Sequence, residues 1–368
     1  MSEQKTTGTK KKTVVEQKCP NCGAAMFFDP EDGKLTCAHC GTSIDITPSA
    51  SDAPVSVEGF DFGALNDQAM SADAAALPVY LCESCGAELI APPEQAALTC
   101  PYCANNIVLT DKVSGKLRPD GVVPFRITAK ELPGTMKRYY KDKVLLPRRF
   151  FSENTMGKVT GVYVPFWVFG GRLSGELSYR ATRSSTHRQG DYLVTETNHY
   201  RLAREVSMAF DGLPVDASAK IDDALMDSLE PFDMGEAKPF DMRYLAGFTA
   251  DRFDQAKSDL AARAENRMRS TAEAVAESGA SSGYDSATRS GGTLSAELTA
   301  KYLLLPVYLF DIAHGGKQYH FAVNGQTGKV VGTLPTDKGV ARTYFLVRML
   351  GGAAAVAAIA VAKYLLGR

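Results

Sequence analysis

Two periods of hydrophobicity organise this chain, and both lie beyond its first hundred residues. From Gly161 to Phe169 the run GVYVPFWVF is apolar or aromatic throughout; Gly170-Gly171 follows, and then the more polar GELSYRAT of 175–182. A buried strand, a glycine pair and a half-exposed strand predict a β-hairpin that turns at those glycines. Tyr192, Val194, Tyr200, Leu202, Val206 and Met208 recur through Asp191–Phe210, which predicts one or two further strands. Leu303–Phe310, Gly315-Gly316 and Gln318–Val323 repeat the first design: Pro165 matches Pro306, Trp167 matches Tyr308 and Phe169 matches Phe310. Two related hairpins in one sheet are expected. Asn324-Gly325 and Gly328 then turn the chain into Lys329–Gly332.

Three- and four-residue spacings mark the helices. Thr128 can cap one that runs to about Tyr140 and ends on the approach to Pro147. Ile221, Leu225, Met226 and Leu229 predict a short helix ending near Pro231. Phe253, Ala256, Leu260, Ala264, Met268, Ala272 and Val275 predict a longer one over Thr249–Ser278, with Gly279 as its stop. Ala280–Gly292, rich in Ser and Gly, reads as a mobile loop. Strands, then helices, then strands give an α+β domain.

The C-terminus follows neither rhythm. Met349–Ala362 carries no charge, and the apolar stretch extends from Tyr344 to Leu366 if Arg348 and Lys363 snorkel. As a helix, 344–366 reaches about 35 Å, enough to cross a hydrocarbon layer of about 30 Å. Its richness in Ala and Gly favours close packing against another helix, through positions such as Ala353, Ala357 and Val361. Lys338, Arg342 and Arg348 on its N-terminal flank agree with a cytosolic body and a single-pass anchor in the inner membrane. The competing reading is a terminal helix that is buried or packed on a partner.

Candidate chemistry is concentrated before residue 104. All eight cysteines fall into four CxxC pairs: Cys19/Cys22, Cys37/Cys40, Cys82/Cys85 and Cys100/Cys103. CPNCGAAMFFDPEDGKLTCAHCGTSIDI aligns without a gap over CESCGAELIAPPEQAALTCPYCANNIVL, an internal repeat of a four-thiolate unit. Each CxxC turn brings two thiolates to one ion, and two turns complete a tetrahedron. Two structural Zn2+ sites are therefore expected, each closed to water and so not catalytic. Gly23, Gly41 and Gly86 follow second cysteines, where a left-handed turn favours glycine; Ala104 departs from that pattern. Disulfides or redox pairs are the alternative, but the polar, lysine-bearing N-terminus lacks a secretory signal, and a reducing cytosol is the expected compartment. His39 is surplus to the four sulfurs of its unit.

The formal net charge of −1 over 368 residues argues against a chain that coats nucleic acid. Charge is uneven: Lys5, Lys10, Lys11, Lys12 and Lys18 crowd the first eighteen residues, while Pro78–Thr110 has Glu83, Glu88 and Glu94 and no basic residue. The resulting organisation is a disordered basic tail (1–18), ribbon 1 (19–47), a flexible linker (48–77), ribbon 2 (78–110), an α+β domain (111–335) and a membrane segment (336–368, helix about 344–366).

The paired ribbons, the Pro-Phe-Trp strand, the Asp-Ser-Leu-Glu-Pro turn at 227–231 and Phe-Ala-Val-Asn-Gly-Gln-Thr-Gly-Lys-Val-Val-Gly at 321–332 resemble a bacterial family of TFIIB-type zinc-ribbon proteins with a C-terminal membrane segment. Members are often labelled helicase- or primosome-like, and some look like membrane partners of phage-shock-type envelope-stress systems that recruit a cytosolic effector. The helicase label finds no support in the residues. A P-loop needs Gly-Lys-Ser/Thr, and Gly115-Lys116, Gly157-Lys158, Gly316-Lys317 and Gly328-Lys329 are followed by Leu, Val, Gln and Val.

The reading that follows is a non-enzymatic, membrane-anchored adaptor whose ribbons recruit a cytosolic protein partner. The alternative is a nucleic-acid-binding ribbon protein, with Lys10, Lys11, Lys12, Lys18 and Lys34 set against phosphates and Tyr102 as a stacking group. An enzyme is not expected, nor a small-molecule substrate. His187, His199, His314 and His320 lack metal or triad spacing, and Asp222, Asp223, Asp227 and Glu230 read as helix-dipole partners. Trp167 reads as core.

Overall fold

The computed structural model describes residues 14–15, 17–46, 79–82, 88–90, 95–99, 106–109, 118–147, 150, 159–219 and 221–366. In chain order its strands are β1 (Val14–Val15), β2 (Met26–Asp29), β3 (Lys34–Cys37), β4 (Ser43–Asp45), β5 (Val79–Leu81), β6 (Glu88–Ile90), β7 (Gln95–Thr99), β8 (Asn106–Leu109), β9 (Gly121–Val122), β10 (Thr160–Gln189), β11 (Tyr192–Asp216), β12 (Lys238–Pro239), β13 (Thr249–Asp251), β14 (Ser286–His314), β15 (Lys317–Asn324) and β16 (Val330–Gly332). The helices are α1 (Leu132–Tyr140), α2 (Asp223–Ser228), α3 (Lys257–Ser281) and α4 (Lys338–Leu366). The fold is mixed and mostly sheet. β2–β3–β4 form one small sheet, β5–β6 another, and an 11-stranded sheet holds the rest.

The first hairpin does not turn where its glycines suggested. β10 runs 30 residues straight through Gly170-Gly171 and turns only at Gly190. The glycines serve a close crossing instead: a Cβ on Gly171 would lie 2.0 Å from the Glu297 carbonyl oxygen, and one on Gly175 2.2 Å from that of Thr293. Pairing with β11 shifts register between Phe169 and Gly171 at this point. The second hairpin does turn at Gly315-Gly316, between β14 and β15.

Two helical expectations also change. Thr249–Asp251 is strand β13, so α3 begins only at Lys257. The Ser/Gly-rich segment expected to be a loop instead enters β14 at Ser286. Thr128 does not cap α1; its N–H and hydroxyl donate to the Glu131 carboxylate (2.7 and 2.9 Å), and Glu131 is the N-cap residue. In the short helix, the Asp222 side chain accepts the Leu225 N–H at 2.9 Å and starts α2 as a conventional N-cap.

The matched motifs of β10 and β14 are antiparallel neighbours, related by a quasi-two-fold through the pair Val164↔Leu305. Val162 and Tyr163 pair in parallel with Thr249 and Ala250 of β13; Leu303 and Leu304 pair in parallel with Gly121 and Val122 of β9. Outer antiparallel pairing then begins at Phe166↔Asp216 and at Val307↔Asn324. The Ala217 N–H donates to the Pro165 carbonyl at 3.0 Å, as the Gly325 N–H does to Pro306 at 2.8 Å. Trp167 Nε1–H donates to the Gln255 carbonyl (3.1 Å), and the Tyr308 hydroxyl to that of Ile127 (2.8 Å). Each half is thus short strand, helix, hairpin: β9–α1–β10–β11 and β13–α3–β14–β15. Each lends its short strand to the other's hairpin. Leu132 and Met136 of α1 and Leu260 and Ala264 of α3 fill matching core positions.

β7 and β8 continue this sheet through Ala97↔Ala250, and Val14–Val15 pair with Val108–Leu109. Residues of the expected tail and second ribbon therefore lie in the main sheet. At the other end α4 leaves the body, with the side chains of 342–362 exposed.

Candidate metal centre and its support

Cys19 and Cys22 sit on the turn before β2, and Cys37 and Cys40 on the turn that links β3 to β4. Both turns are built alike. The Gly23 N–H returns to the Cys19 carbonyl (2.8 Å) and the Gly41 N–H to that of Cys37 (2.9 Å), each glycine at φ 73°. The glycine after each second cysteine meets a conformational need, because an L side chain strains at that φ. Cys19 Sγ lies 3.5 Å from Cys40 Sγ, and Cys22 Sγ 3.5 Å from Cys37 Sγ; all four sulfurs fall within 4.8 Å of one another. A zinc ion bonded to four sulfurs at about 2.3 Å needs sulfur–sulfur edges of about 3.8 Å, which this quartet fits. Cys19 and Cys37 are buried, Cys22 and Cys40 exposed.

The quartet is also chemically uneven. The Thr42 hydroxyl, 3.1 Å from Cys40 Sγ, and the Thr42 N–H hold the Cys40 thiol down to about 6. The Ala24 N–H favours the Cys22 thiolate, but hydrogen bonds with Cys40, burial, and the Cys37 and Cys19 sulfurs outweigh it and hold Cys22 up to about 12. Four thiolates cannot accumulate here without a compensating cation. A divalent ion supplies that charge, and its binding releases the remaining protons.

This ribbon is docked on the main body. The Phe28 N–H donates to the Ala246 carbonyl at 2.9 Å, and the Phe28 ring meets Tyr244 edge-on at 5.3 Å and Phe248 at 6.4 Å. Phe248 in turn stacks on Phe125 at 4.1 Å. Phe27 faces the other way over Gly247, beside a cleft of about 650 Å³ that Lys130, Gly161 and Tyr308 also line. Met26, Leu35, Cys19 and Cys37 belong to one hydrophobic core with Tyr244, Leu245 and Phe125. Lys34, expected to be available to phosphate, is paired with Asp45 at 3.0 Å.

Of the second cysteine set, Cys82 is buried with Tyr80, Ile107 and Leu109. Cys85, Cys100 and Cys103 lie outside the described residues, as do Lys10, Lys11, Lys12, Tyr102 and the 48–77 linker. Among the described residues the quartet 19/22/37/40 is the one grouping with metal-ligand geometry. The histidines stay apart: His187 and His199 are exposed on the long strands, His320 pairs with Asp311 at 2.6 Å, and His314 lies against the Phe150 ring.

The α2 carboxylates do more than complement a helix dipole. Asp223 and Asp227 pair with Arg263 at 2.7 and 2.8 Å, and Glu230 with Arg267 at 2.8 Å, tying α2 to α3. The two stretches singled out as motifs, 227–231 and 321–332, prove to be one clasp. Asn324, fully buried, donates through Nδ2 to the carbonyls of Leu229 (3.1 Å) and Pro231 (3.2 Å) and accepts the N–H groups of Gln326 and Thr327. Gln326 exchanges hydrogen bonds with the Asp233 backbone, and Lys329 Nζ reaches the Glu230 carbonyl. An Asn-Gly pair after a strand signals a turn; that its amide would bind a distant segment has no sequence signal.

The family model for TFIIB zinc-binding ribbons matches residues 17–48, the whole of the quartet. No solved structure matches the chain. The chain is 36% identical over 335 residues to the "Uncharacterized protein YdjG" of Bacillus subtilis (strain 168), an alignment that covers 90% of this chain and 93% of that protein. A TFIIB-type zinc ribbon at its N-terminus and similarity along nearly its whole length place the chain in the same family as YdjG.

Proposed function

We propose that this protein is a non-enzymatic, membrane-anchored zinc-ribbon adaptor that recruits a cytosolic protein partner; envelope stress is the setting implied by its resemblance to phage-shock-type partners. The observation that carries this reading is α4. Lys338–Ala362 is long and apolar enough to cross a bilayer, with 0% of its apolar window covered by the rest of the chain. A core helix of a soluble body would be covered. The zinc at ribbon 1, and a second at Cys82, Cys85, Cys100 and Cys103, act structurally: four thiolates close the sphere, and the metal fixes a surface without supplying a reactive position. Lys34, one of the phosphate contacts of the nucleic-acid alternative, has Asp45 beside it at 3.0 Å, which lowers the positive charge it offers.

The test is membrane flotation of the full-length protein beside a version stopped after Pro335. The full-length protein floats with vesicles and the truncated one stays at the bottom. If both stay soluble, the anchor reading fails, α4 belongs to an oligomer, and binding of the purified protein to nucleic acid across a salt series becomes the leading question.

A further inference from the structure

We infer that the basic last turn of α1 and the loop after it form an anionic-lipid contact that seats the body against the membrane. This rests on the anchor reading of α4 and adds a second, distinct contact. Lys137, Arg138, Lys141 and Lys143 are all exposed, and none forms an ion pair among the described residues. Asp142 is the one acid between them. Val144, 58% exposed, adds an apolar side chain at the same edge. Lys143 lies 5.1 Å over the Tyr139 ring, an aromatic of the kind that sits at headgroup level.

Geometry puts this cluster at the bilayer. The Asp337 N–H donates to the Leu145 carbonyl at 3.0 Å, so the loop is fastened to the foot of α4. Asp337 also caps that helix, accepting the Gly339 and Val340 N–H groups at 2.8 and 3.1 Å. From the foot, residues 338–343 rise about 9 Å before Tyr344, where the apolar stretch begins. The interfacial zone is about 5–8 Å deep on each side, and an extended lysine spans the difference. Lys338 and Arg342, also exposed, carry the positive surface from the loop to the helix. Each basic residue near an anionic surface strengthens binding by about fivefold.

The experiment reconstitutes the full-length chain into nanodiscs of phosphatidylcholine and of phosphatidylcholine with phosphatidylglycerol, and follows amide hydrogen exchange at 141–146. Phosphatidylglycerol slows exchange there by on the order of tenfold. The effect disappears at high salt and in the quadruple variant Lys137→Glu, Arg138→Glu, Lys141→Glu, Lys143→Glu, which still enters the discs. Equal exchange in the two lipids overturns the inference while leaving the anchor intact. A full-length chain that enters neither disc overturns the anchor and this contact together. Should the variant fold poorly, the lipid comparison on the unaltered chain decides by itself.

Discussion

Asp216 and Asn324 occupy matched places in the two halves, and the difference between them is one atom. Ser218 N–H donates to Asp216 Oδ1 at 3.1 Å, as Gln326 N–H does to Asn324 Oδ1 at 2.9 Å. Where Asn324 uses its amide nitrogen twice, the second Asp216 oxygen is buried without a hydrogen-bond partner. Burial raises this carboxyl to about 7, against the pull of the Ser218 N–H. A raised folded value means that the folded state holds the proton more tightly. The contribution to stability is complete below the ordinary carboxylate value near 4, shrinks as pH rises, and is lost above about 7. Asp216→Asn should therefore be more stable to urea than the native chain at pH 8, by on the order of 4 kcal/mol, with about half of that difference left at pH 5.5 and none as pH falls to 4. A constant difference across that range would refute the assignment. The cysteines of ribbon 1 were legible because their chemistry depends on spacing along the chain. Asp216 was not, since its burial arises where β11 pairs with Phe166 of β10 and the chain around Asp254 and Arg263 packs beside it, some forty to fifty residues away on either side.

At the scale of elements, glycine misled where it lay inside a strand. Gly170-Gly171 reads as a turn because turns are where paired glycines usually sit, yet here Gly171 permits β10 and β14 to cross closely. Gly175 shows the same need at φ 154°, with the Thr293 carbonyl where its Cβ would go. Gly175→Ala should cost more than about 2 kcal/mol, since neither backbone can yield without breaking the ladder. Gly134 in α1 has nothing within 4 Å of an added Cβ, and Gly134→Ala should stabilise by about 0.5–1 kcal/mol. Urea titration of both variants separates a packing glycine from a merely permissive one; equal effects would show that the crossing is not tight. The period of α3 was readable from Leu260 onward because one face is buried. Its start was not, because Thr249–Asp251 is recruited into a sheet by strands that carry no local sign of it.

Across the whole molecule, the α+β character, the two matched apolar strands and the terminal helix were visible in the chain. The interlocked halves and the seat of ribbon 1 were hidden, because both depend on which surfaces meet. Phe28 makes that seat: its ring is 4% exposed, its N–H bonds to Ala246, and it joins the aromatic run Tyr244, Phe248, Phe125. All four metal ligands come from residues 19–40, whereas Phe28 is no ligand and bonds to the body, so metal binding and docking are separable. Phe28→Ala should leave the zinc bound at Cys19, Cys22, Cys37 and Cys40 while removing about 3–5 kcal/mol from the junction. Calorimetry of the zinc-loaded protein should then resolve a ribbon transition below that of the body, where the native chain unfolds the two together. Zinc lost with the side chain would mean that the body completes the metal site. A single transition in the variant would mean that the ribbon is held by contacts other than Phe28. The coupled arrangement also fixes the cleft between ribbon and body, lined by Phe27 on one side and by Lys130, Gly161 and Tyr308 on the other, so Phe28→Ala should loosen that cleft as well as the junction.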